Sequence, residues 1–246
     1  MGPAERLVGY CVDVKPRGER SSLATLLGED GIVLTTCPRG MGGGKKSFPL
    51  QSSLGMLSTF ELTRRSPSGP WVCTSFQPVG APLWESSSLA LNSSLMLSSE
   101  LIQLFFQGGR RKLFDGYTRM VELFSKKLYT AGILDLLIEG IEELGLAPTT
   151  RSCADCGAEG KLVAFSLDAG GFLCPECAPS HPRALTGRRM LLSCRYVFET
   201  PLKDRETEKL DVEDVKTLAL SCIRYLEDYF SERVSTLDLF VSSVYK

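Results

Sequence analysis

Histidine is nearly absent from this sequence, since His181 is the single one among 246 residues. Ser-His-Asp and Cys-His catalysis need a histidine base, and His181, in a loop between two prolines, is a poor candidate for that role. Runs of about 18 apolar residues are missing too, so we expect no segment to span a membrane. The first ten residues, MGPAERLVGY, include a glutamate and no apolar stretch, so we expect no signal peptide.

Net charge is also small, at -1, but it is unevenly distributed. Residues 1–80 carry nine lysines and arginines against six acidic residues, whereas the rest of the chain is acidic overall. A local basic excess is typical of a surface that meets a polyanion. Nine cysteines with two close pairs indicate a reducing compartment, where close pairs bind metal more often than they form disulfides. We therefore expect a cytoplasmic protein.

The first eighty residues have the short alternating segments of β-strands. Strands are predicted over 7–15 and near 20–28, 31–37, 55–65 and 70–79. In the first of them, LVGYCVDVK, alternation predicts one face with Val8, Tyr10, Val12 and Val14. Five short strands suit a small barrel of the OB kind, and an SH3-like barrel fits nearly as well.

Residues 37–50, CPRGMGGGKKSFPL, form a glycine-rich basic stretch that invites comparison with a P-loop. A nucleotide-hydrolysing loop reads G-x-x-x-x-G-K-[ST]. GMGGGKKS departs from that pattern because Lys45 replaces the second glycine and Pro49 blocks the helix that should follow. Two interpretations remain: a solvated surface loop, or a basic loop that follows a nucleic-acid backbone closely because glycine has no side chain.

Beyond a linker at 77–88 the apolar period becomes helical. Helices are predicted over 93–107, along the stripe from Phe114 to Leu128, over 133–145, and from Val212 to Tyr229 with Asp211 as N-cap. A last helix is predicted from Ser235, with Asp238 in the capping-box position.

Four cysteines between the helical stretches have the spacing C-x2-C-x17-C-x2-C: Cys153, Cys156, Cys174 and Cys177. Each C-x-x-C turn directs two sulfurs at one point, and a hairpin-like segment joins the turns. Four thiolates make a closed tetrahedral site, so the predicted cofactor is one structural Zn²⁺ per chain with no catalytic position. Paired redox C-x-x-C motifs are the alternative, but no thioredoxin-like βαβ pattern surrounds them. His181 could replace Cys177, although a surface position is the better interpretation.

The predicted fold class is therefore α+β: an N-terminal five-stranded OB-like β-barrel followed by an α-helical domain that a four-cysteine zinc motif interrupts. The predicted parts are an OB-fold nucleic-acid-binding domain at 1–80, helical segments at 81–150 and 181–246, and the zinc motif at 151–180.

Cationic side chains on a barrel can neutralise phosphates with little sequence preference. The predicted nucleic-acid contacts are Lys15, Arg17, Arg20, Arg39, Lys45, Lys46, Arg64 and Arg65. The strand aromatics Tyr10, Phe60, Trp71 and Phe76 could stack on bases but are more often core residues. The remaining cysteines lie in apolar patterns and are predicted to be buried: Cys11, Cys37, Cys73, Cys194 and Cys222.

This order of parts resembles the bacterial recombination and repair mediator family RecO. The matching stretches are RGER at 17–20, KKS at 45–47 leading into FPLQSSLGMLSTFEL, ELGLAPTTRSCADCG at 143–157 and AFSLDAGGFLCPEC at 164–177. The resemblance implies binding of single- and double-stranded DNA, annealing of complementary strands, and recombinase loading together with RecR and the single-strand-binding protein. It also implies a place at the bacterial nucleoid.

Three functional hypotheses follow. The first is a non-catalytic DNA-binding and annealing mediator. The second is a zinc-containing adaptor that docks protein partners, with nucleic-acid binding secondary. The third is a nucleotide-dependent enzyme that uses GMGGGKKS. DNA binding without ATP turnover separates the first from the third, and a salt dependence that follows Lys45 and Lys46 separates the first from the second.

Overall fold

The computed structural model describes residues 5–17, 19, 21–38, 54–79, 88–106, 108 and 110–245. The chain divides into two compact units, one of Met1–Phe114 with Thr236–Lys246 and one of Asp115–Ser235. Within the described residues, every helix is too short or too polar to cross a bilayer.

Five strands of the first unit close into a barrel in the order β1-β2-β3-β5-β4. They are β1 (Glu5–Arg17), β2 (Ser21–Gly28), β3 (Gly31–Pro38), β4 (Leu57–Thr63) and β5 (Trp71–Pro78). β3 and β5 pair in parallel, and the other neighbours pair antiparallel. The α+β class and the small five-stranded barrel predicted from the sequence are confirmed.

One prediction for β1 is wrong, because its side chains do not keep one alternation throughout. The register with β2 shifts between Cys11 and Asp13, as a β-bulge does. Cys11 and Val14 therefore both pack in the barrel interior, whereas Tyr10 faces outward and contacts the Phe114 ring at 5.6 Å between centroids. Val14 thus lies on the face opposite to Tyr10.

The barrel core holds most of the residues that the sequence predicts to be buried. Phe60 and Phe76 stack inside it, and Trp71 packs half-buried against it. All five cysteines outside the four-cysteine motif are buried, as predicted: Cys11, Cys37, Cys73, Cys194 and Cys222.

Two helices belong to the first unit, α1 (Leu89–Phe105) and the C-terminal helix α6. α1 begins four residues before the predicted start because Ser88 caps it, accepting a hydrogen bond from the Leu91 amide. The sequence predicts that the last helix begins at Ser235 with a capping box, and this is wrong: α6 spans Leu237–Val244. Its N-cap is Thr236, whose amide and hydroxyl both donate to the Glu100 carboxylate, at 2.8 and 2.6 Å.

The helices between them are α2 (Arg111–Ser125), α3 (Tyr129–Glu143), α4 (Arg188–Glu199) and α5 (Val212–Phe230). Asp211 caps α5 as predicted, because its carboxylate accepts from the amides of Glu213 and Asp214. α3 is buried along nearly its whole length and packs against α5.

A buried ionic network lies beside α3, and the sequence pattern alone did not reveal it. Arg205, 1% exposed, reaches Glu139 at 3.1 Å and Asp135 at 3.5 Å. Thr207 donates its hydroxyl to Asp135 at 2.6 Å, and the Arg205 guanidinium also donates to the Thr200 carbonyl. Burial raises the pKa of Asp135, although Thr207 and Arg205 oppose the shift.

Candidate metal centre and nucleic-acid interface

The four motif cysteines converge on one point of the second unit. Cys153 and Cys156 lie in one turn, and Cys174 and Cys177 follow the hairpin of β6 (Ala164–Ser166) and β7 (Gly171–Leu173). The two turns repeat one hydrogen bond, from the Gly157 amide to the Cys153 carbonyl and from the Ala178 amide to the Cys174 carbonyl. All four sulfurs lie within 4.8 Å of one another.

The sulfur spacing fits a zinc ion. Four thiolates at about 2.3 Å from a central Zn²⁺ lie about 3.8 Å apart at the corners of a tetrahedron. Cys156 Sγ and Cys174 Sγ are 3.8 Å apart, which is far beyond a disulfide bond of about 2.05 Å. These four residues could therefore hold one structural zinc ion with every coordination position filled by protein.

The backbone around the sulfurs favours thiolate. Hydrogen bonding from the backbone of Cys156, and then from that of Cys174, lowers the pKa of Cys153 to about 6. The Cys174 amide donates to Cys153 Sγ at 3.4 Å. Hydrogen bonds to the neighbouring sulfurs of Cys174 and Cys156 raise the pKa of Cys177. A divalent cation bound here would displace the remaining thiol protons, and its positive charge would offset the negative charge of the four thiolates.

His181 stands outside the four-sulfur cluster, in agreement with the sequence interpretation. Its Nε2 hydrogen-bonds to Asp155 Oδ2 at 2.8 Å. Asp155 lies between Cys153 and Cys156, so this contact joins the first cysteine turn to the segment after the second.

Gly171 packs the hairpin against Thr149, in the segment that leads into the first cysteine turn, and its replacement gives a test of the centre. Its φ is 147°, and an added Cβ would lie 2.2 Å from the Thr149 carbonyl oxygen. We expect Gly171→Ala to lower the free energy of unfolding by about 1–3 kcal/mol, because the backbone must move. Chelator-induced zinc loss and thermal unfolding would measure it.

Gly160→Ala is the matched control. Its φ is nearly the same, 145°, but no described atom lies within 4 Å of the added Cβ. Equal effects of the two substitutions would show that backbone conformation, and not the contact with Thr149, governs the hairpin.

The predicted basic residues fall into three groups. Lys15 lies on the outer face of β1, where Nζ donates to Gln103 at 2.6 Å and pairs with Asp13 at 3.3 Å. Arg17, at the end of the same strand, donates to the Thr36 hydroxyl at 3.4 Å. Lys15 and Arg17 therefore share one surface of the barrel.

Arg64 and Arg65 form the second group. The Arg64 guanidinium lies 4.3 Å above the Trp71 ring, donates to the Pro67 carbonyl and pairs with Glu5. Arg65 is exposed, and no ion pair joins it to another of the described residues. The third group lies outside the described residues: Arg20, Arg39, Lys45 and Lys46.

A cavity of about 340 Å³ on the first unit adds residues that the sequence pattern did not single out. Four aliphatic side chains line it: Leu23, Ile32, Leu34 and Ile102. Lys15, Asp13, Thr25 and Gln103 provide its polar part. Leu34 is 59% exposed there. One face of the alternating segments LATLL and GIVLTT fills the barrel interior. The apolar residues on the opposite face were the sequence signal for this cavity.

The described residues combine a closed OB-type barrel with helices and a four-cysteine cluster suited to structural zinc. This defines the class of the protein as an OB-barrel protein with a structural zinc motif. Comparison with known families makes this class specific. The family model described as Recombination protein O C terminal matches residues 87–238, which is more than half of the chain. The chain belongs to the recombination protein O (RecO) family, which confirms the resemblance seen in the sequence.

Three curated relatives carry the name DNA repair protein RecO. The one from Desulforamulus reducens is 31% identical over 157 residues, covering 55% of this chain and 59% of the relative. The one from Oceanobacillus iheyensis is 30% identical over 89 residues, covering 36% and 34%. The one from Exiguobacterium sibiricum is 29% identical over 99 residues, covering 40% and 38%. The matched stretches thus span between about a third and three-fifths of these relatives.

Proposed function

We propose that this chain serves DNA repair and recombination as a non-catalytic protein that binds DNA through its barrel and promotes strand annealing. The observation that carries the proposal is the outer face of β1, β2 and β3. There the aliphatic cavity wall of Leu23, Ile32 and Leu34 lies beside the cations of Lys15 and Arg17. Family membership supports the repair role.

This surface has the two properties that a single strand requires. Cations along the groove neutralise phosphates and release counterions, which gives affinity with little sequence preference. An exposed aliphatic wall offers contact to unstacked bases, whose faces are hidden in a duplex. Leu34, more than half exposed, would be shielded from water when a base covers it.

The remaining parts have supporting roles in this proposal. One structural zinc ion per chain fixes the cysteine turns, and a RecR-like partner and the single-strand-binding protein act together with the chain during recombinase loading. Double-stranded DNA is a further ligand, and the place of action is the bacterial cytoplasm at the nucleoid. The zinc ion follows from the cysteine spacing, and the assignments of double-stranded DNA, protein partners and nucleoid come from the family resemblance.

The binding surface is tested by removing its cations. We expect Lys15→Ala with Arg17→Ala to weaken binding to all single strands about equally, because phosphates carry no sequence. The slope of log K against log salt should fall in magnitude by roughly 1 for each phosphate that the variant no longer neutralises. Fluorescence anisotropy with a labelled oligonucleotide at several salt concentrations measures it, and the same measurement applies to Lys45→Ala with Lys46→Ala.

Lys161→Ala with Lys203→Ala is the matched control. Both lysines are exposed and lie in the second unit, and the two substitutions remove the same charge as the barrel variant. An equal decrease in affinity for this pair would mean that net charge alone governs binding. An unchanged slope in the barrel variants would favour the adaptor hypothesis.

Annealing is tested with two complementary labelled strands coated with single-strand-binding protein. We expect the chain to accelerate pairing without ATP, because charge screening and strand alignment suffice. The rate should fall as salt rises and should not respond to magnesium chelation. A strict need for ATP would instead support the nucleotide-dependent hypothesis.

A further inference from the structure

The barrel closes along one short seam. β3 and β5 pair in parallel through Thr35 with Trp71 and Thr36 with Val72 only, whereas β2 and β3 pair along their full length. A seam with so few backbone hydrogen bonds opens locally at a lower free energy than the rest of the barrel.

Two cysteines lie next in this register. Continuing the parallel pairing by one residue places Cys37 opposite Cys73. Both belong to the same core cluster, 1% and 0% exposed, so both side chains point into the barrel. Neighbouring strands lie about 4.8 Å apart, which is within the Cα separation of about 4.4–6.8 Å that a disulfide allows.

The two thiols also influence each other's ionisation. The nearness of the other thiol raises the pKa of Cys37 and lowers the pKa of Cys73. Cys73 is therefore the sulfur that ionises first, with a second thiol beside it. Sites of reversible oxidation combine a low-pKa thiol, a resolving thiol and access for the oxidant, and local opening of the β3–β5 seam would give that access to these buried sulfurs.

We propose that Cys37 and Cys73 are a modification site, at which hydrogen peroxide or a related peroxide forms a disulfide across the β3–β5 seam. The Cys73 thiolate attacks a peroxide oxygen, the O–O bond breaks, and a sulfenic acid and hydroxide form; the hydroxide takes up the proton that Cys73 released on ionising and becomes water. The Cys37 thiol then attacks that sulfur and releases a second water. In sum, two thiols and one hydrogen peroxide give one disulfide and two waters.

The position of the pair gives the bond a structural effect. Cys37 directly precedes the segment that carries Arg39, Lys45 and Lys46. The disulfide would fix the start of that segment to β5 and close the seam covalently. Because a crosslink restricts the unfolded chain, the oxidised barrel is expected to be more stable than the reduced one.

A peptide map of the full zinc-loaded chain tests the proposal. The protein is treated with increasing hydrogen peroxide, denatured, alkylated with N-ethylmaleimide and digested with trypsin. The three barrel cysteines then fall on separate peptides, 7–17, 21–39 and 66–110. We expect peptides 21–39 and 66–110 to appear linked, and the link to disappear after reduction with dithiothreitol.

Substitutions sharpen the result. Cys11→Ala should leave the link unchanged, although Cys11 lies in the same core cluster. Cys73→Ala should leave Cys37 alkylated and remove the rise in melting temperature that oxidation gives the wild type. Recovery of Cys37 and Cys73 as alkylated thiols at every peroxide dose, or a dominant link to peptide 7–17, would overturn the proposal. The wild-type map decides this even if a variant fails to fold.

Discussion

Replacing Cys174 with serine is expected to release the zinc ion and unfold the segment from Cys153 to Thr186. A structural zinc ion contributes about 10–16 kcal/mol in small zinc-binding peptides. Whole domains are stable by only about 5–15 kcal/mol, so the hairpin cannot stay folded without the metal. Elemental analysis of freshly purified, reduced protein would give the zinc content, and segment-resolved hydrogen exchange would locate the unfolding.

Cys194→Ala is the control for this prediction, because Cys194 is buried but contributes no sulfur to the cluster. It should keep one zinc per chain. The barrel should keep its exchange protection in Cys174→Ser, since its core cluster includes no ligand cysteine. Wild-type protein without zinc would contradict the assignment of the site.

The second large effect concerns Arg205. Arg205→Ala is expected to cost about 3–5 kcal/mol, because it removes the buried cation that pairs with both Asp135 and Glu139, while Arg119 stays 3.7 Å from Asp135. Urea unfolding followed by circular dichroism would measure it. Arg183→Ala should change the midpoint far less, because Arg183 and its partners Asp168 and Asp228 are all exposed.

The pH dependence gives an independent check on the cause. Burial already raises the pKa of Asp135 in the folded wild type above its unfolded value. The contribution of Asp135 to the free energy of unfolding therefore decreases as pH rises through its folded pKa. Without Arg205 that pKa rises further. The loss in free energy of unfolding caused by Arg205→Ala should therefore be largest above the folded pKa of Asp135 in the variant. This loss should shrink as pH falls through that pKa. A deficit independent of pH would indicate impaired packing rather than unpaired charge.

The sequence predicted the features that depend on local spacing. C-x-x-C turns and the alternation of short strands are encoded within a few residues, so the cysteine cluster and the barrel could be read directly. Asp211 was recognised as an N-cap for the same reason. The bulge in β1 could not be read, because it depends on pairing with β2 and leaves the pattern of Val8 to Val14 unbroken in the sequence.

Features that join distant segments were missed. Asp135 and Glu139 stand four residues apart in the apolar stretch Ile133–Ile141 of α3, which is a signal of a buried partner, but Arg205 is 70 residues away from Asp135. The start of α6 was misplaced because the Thr236 hydroxyl bonds to Glu100 instead of capping its own helix. The aliphatic cavity wall was missed because both faces of β2 and β3 are apolar.

The contact between Glu100 and Thr236 has a consequence for biosynthesis. The two residues are separated by 136 positions in the chain. A ribosome that adds about 5–20 residues per second makes Thr236 roughly 7–27 s after Glu100. The barrel and α1 therefore leave the ribosome long before α6 does. α1 has no α6 to pack against while the whole second unit is synthesised. Chaperones that bind nascent chains would meet the face of α1 that α6 later covers.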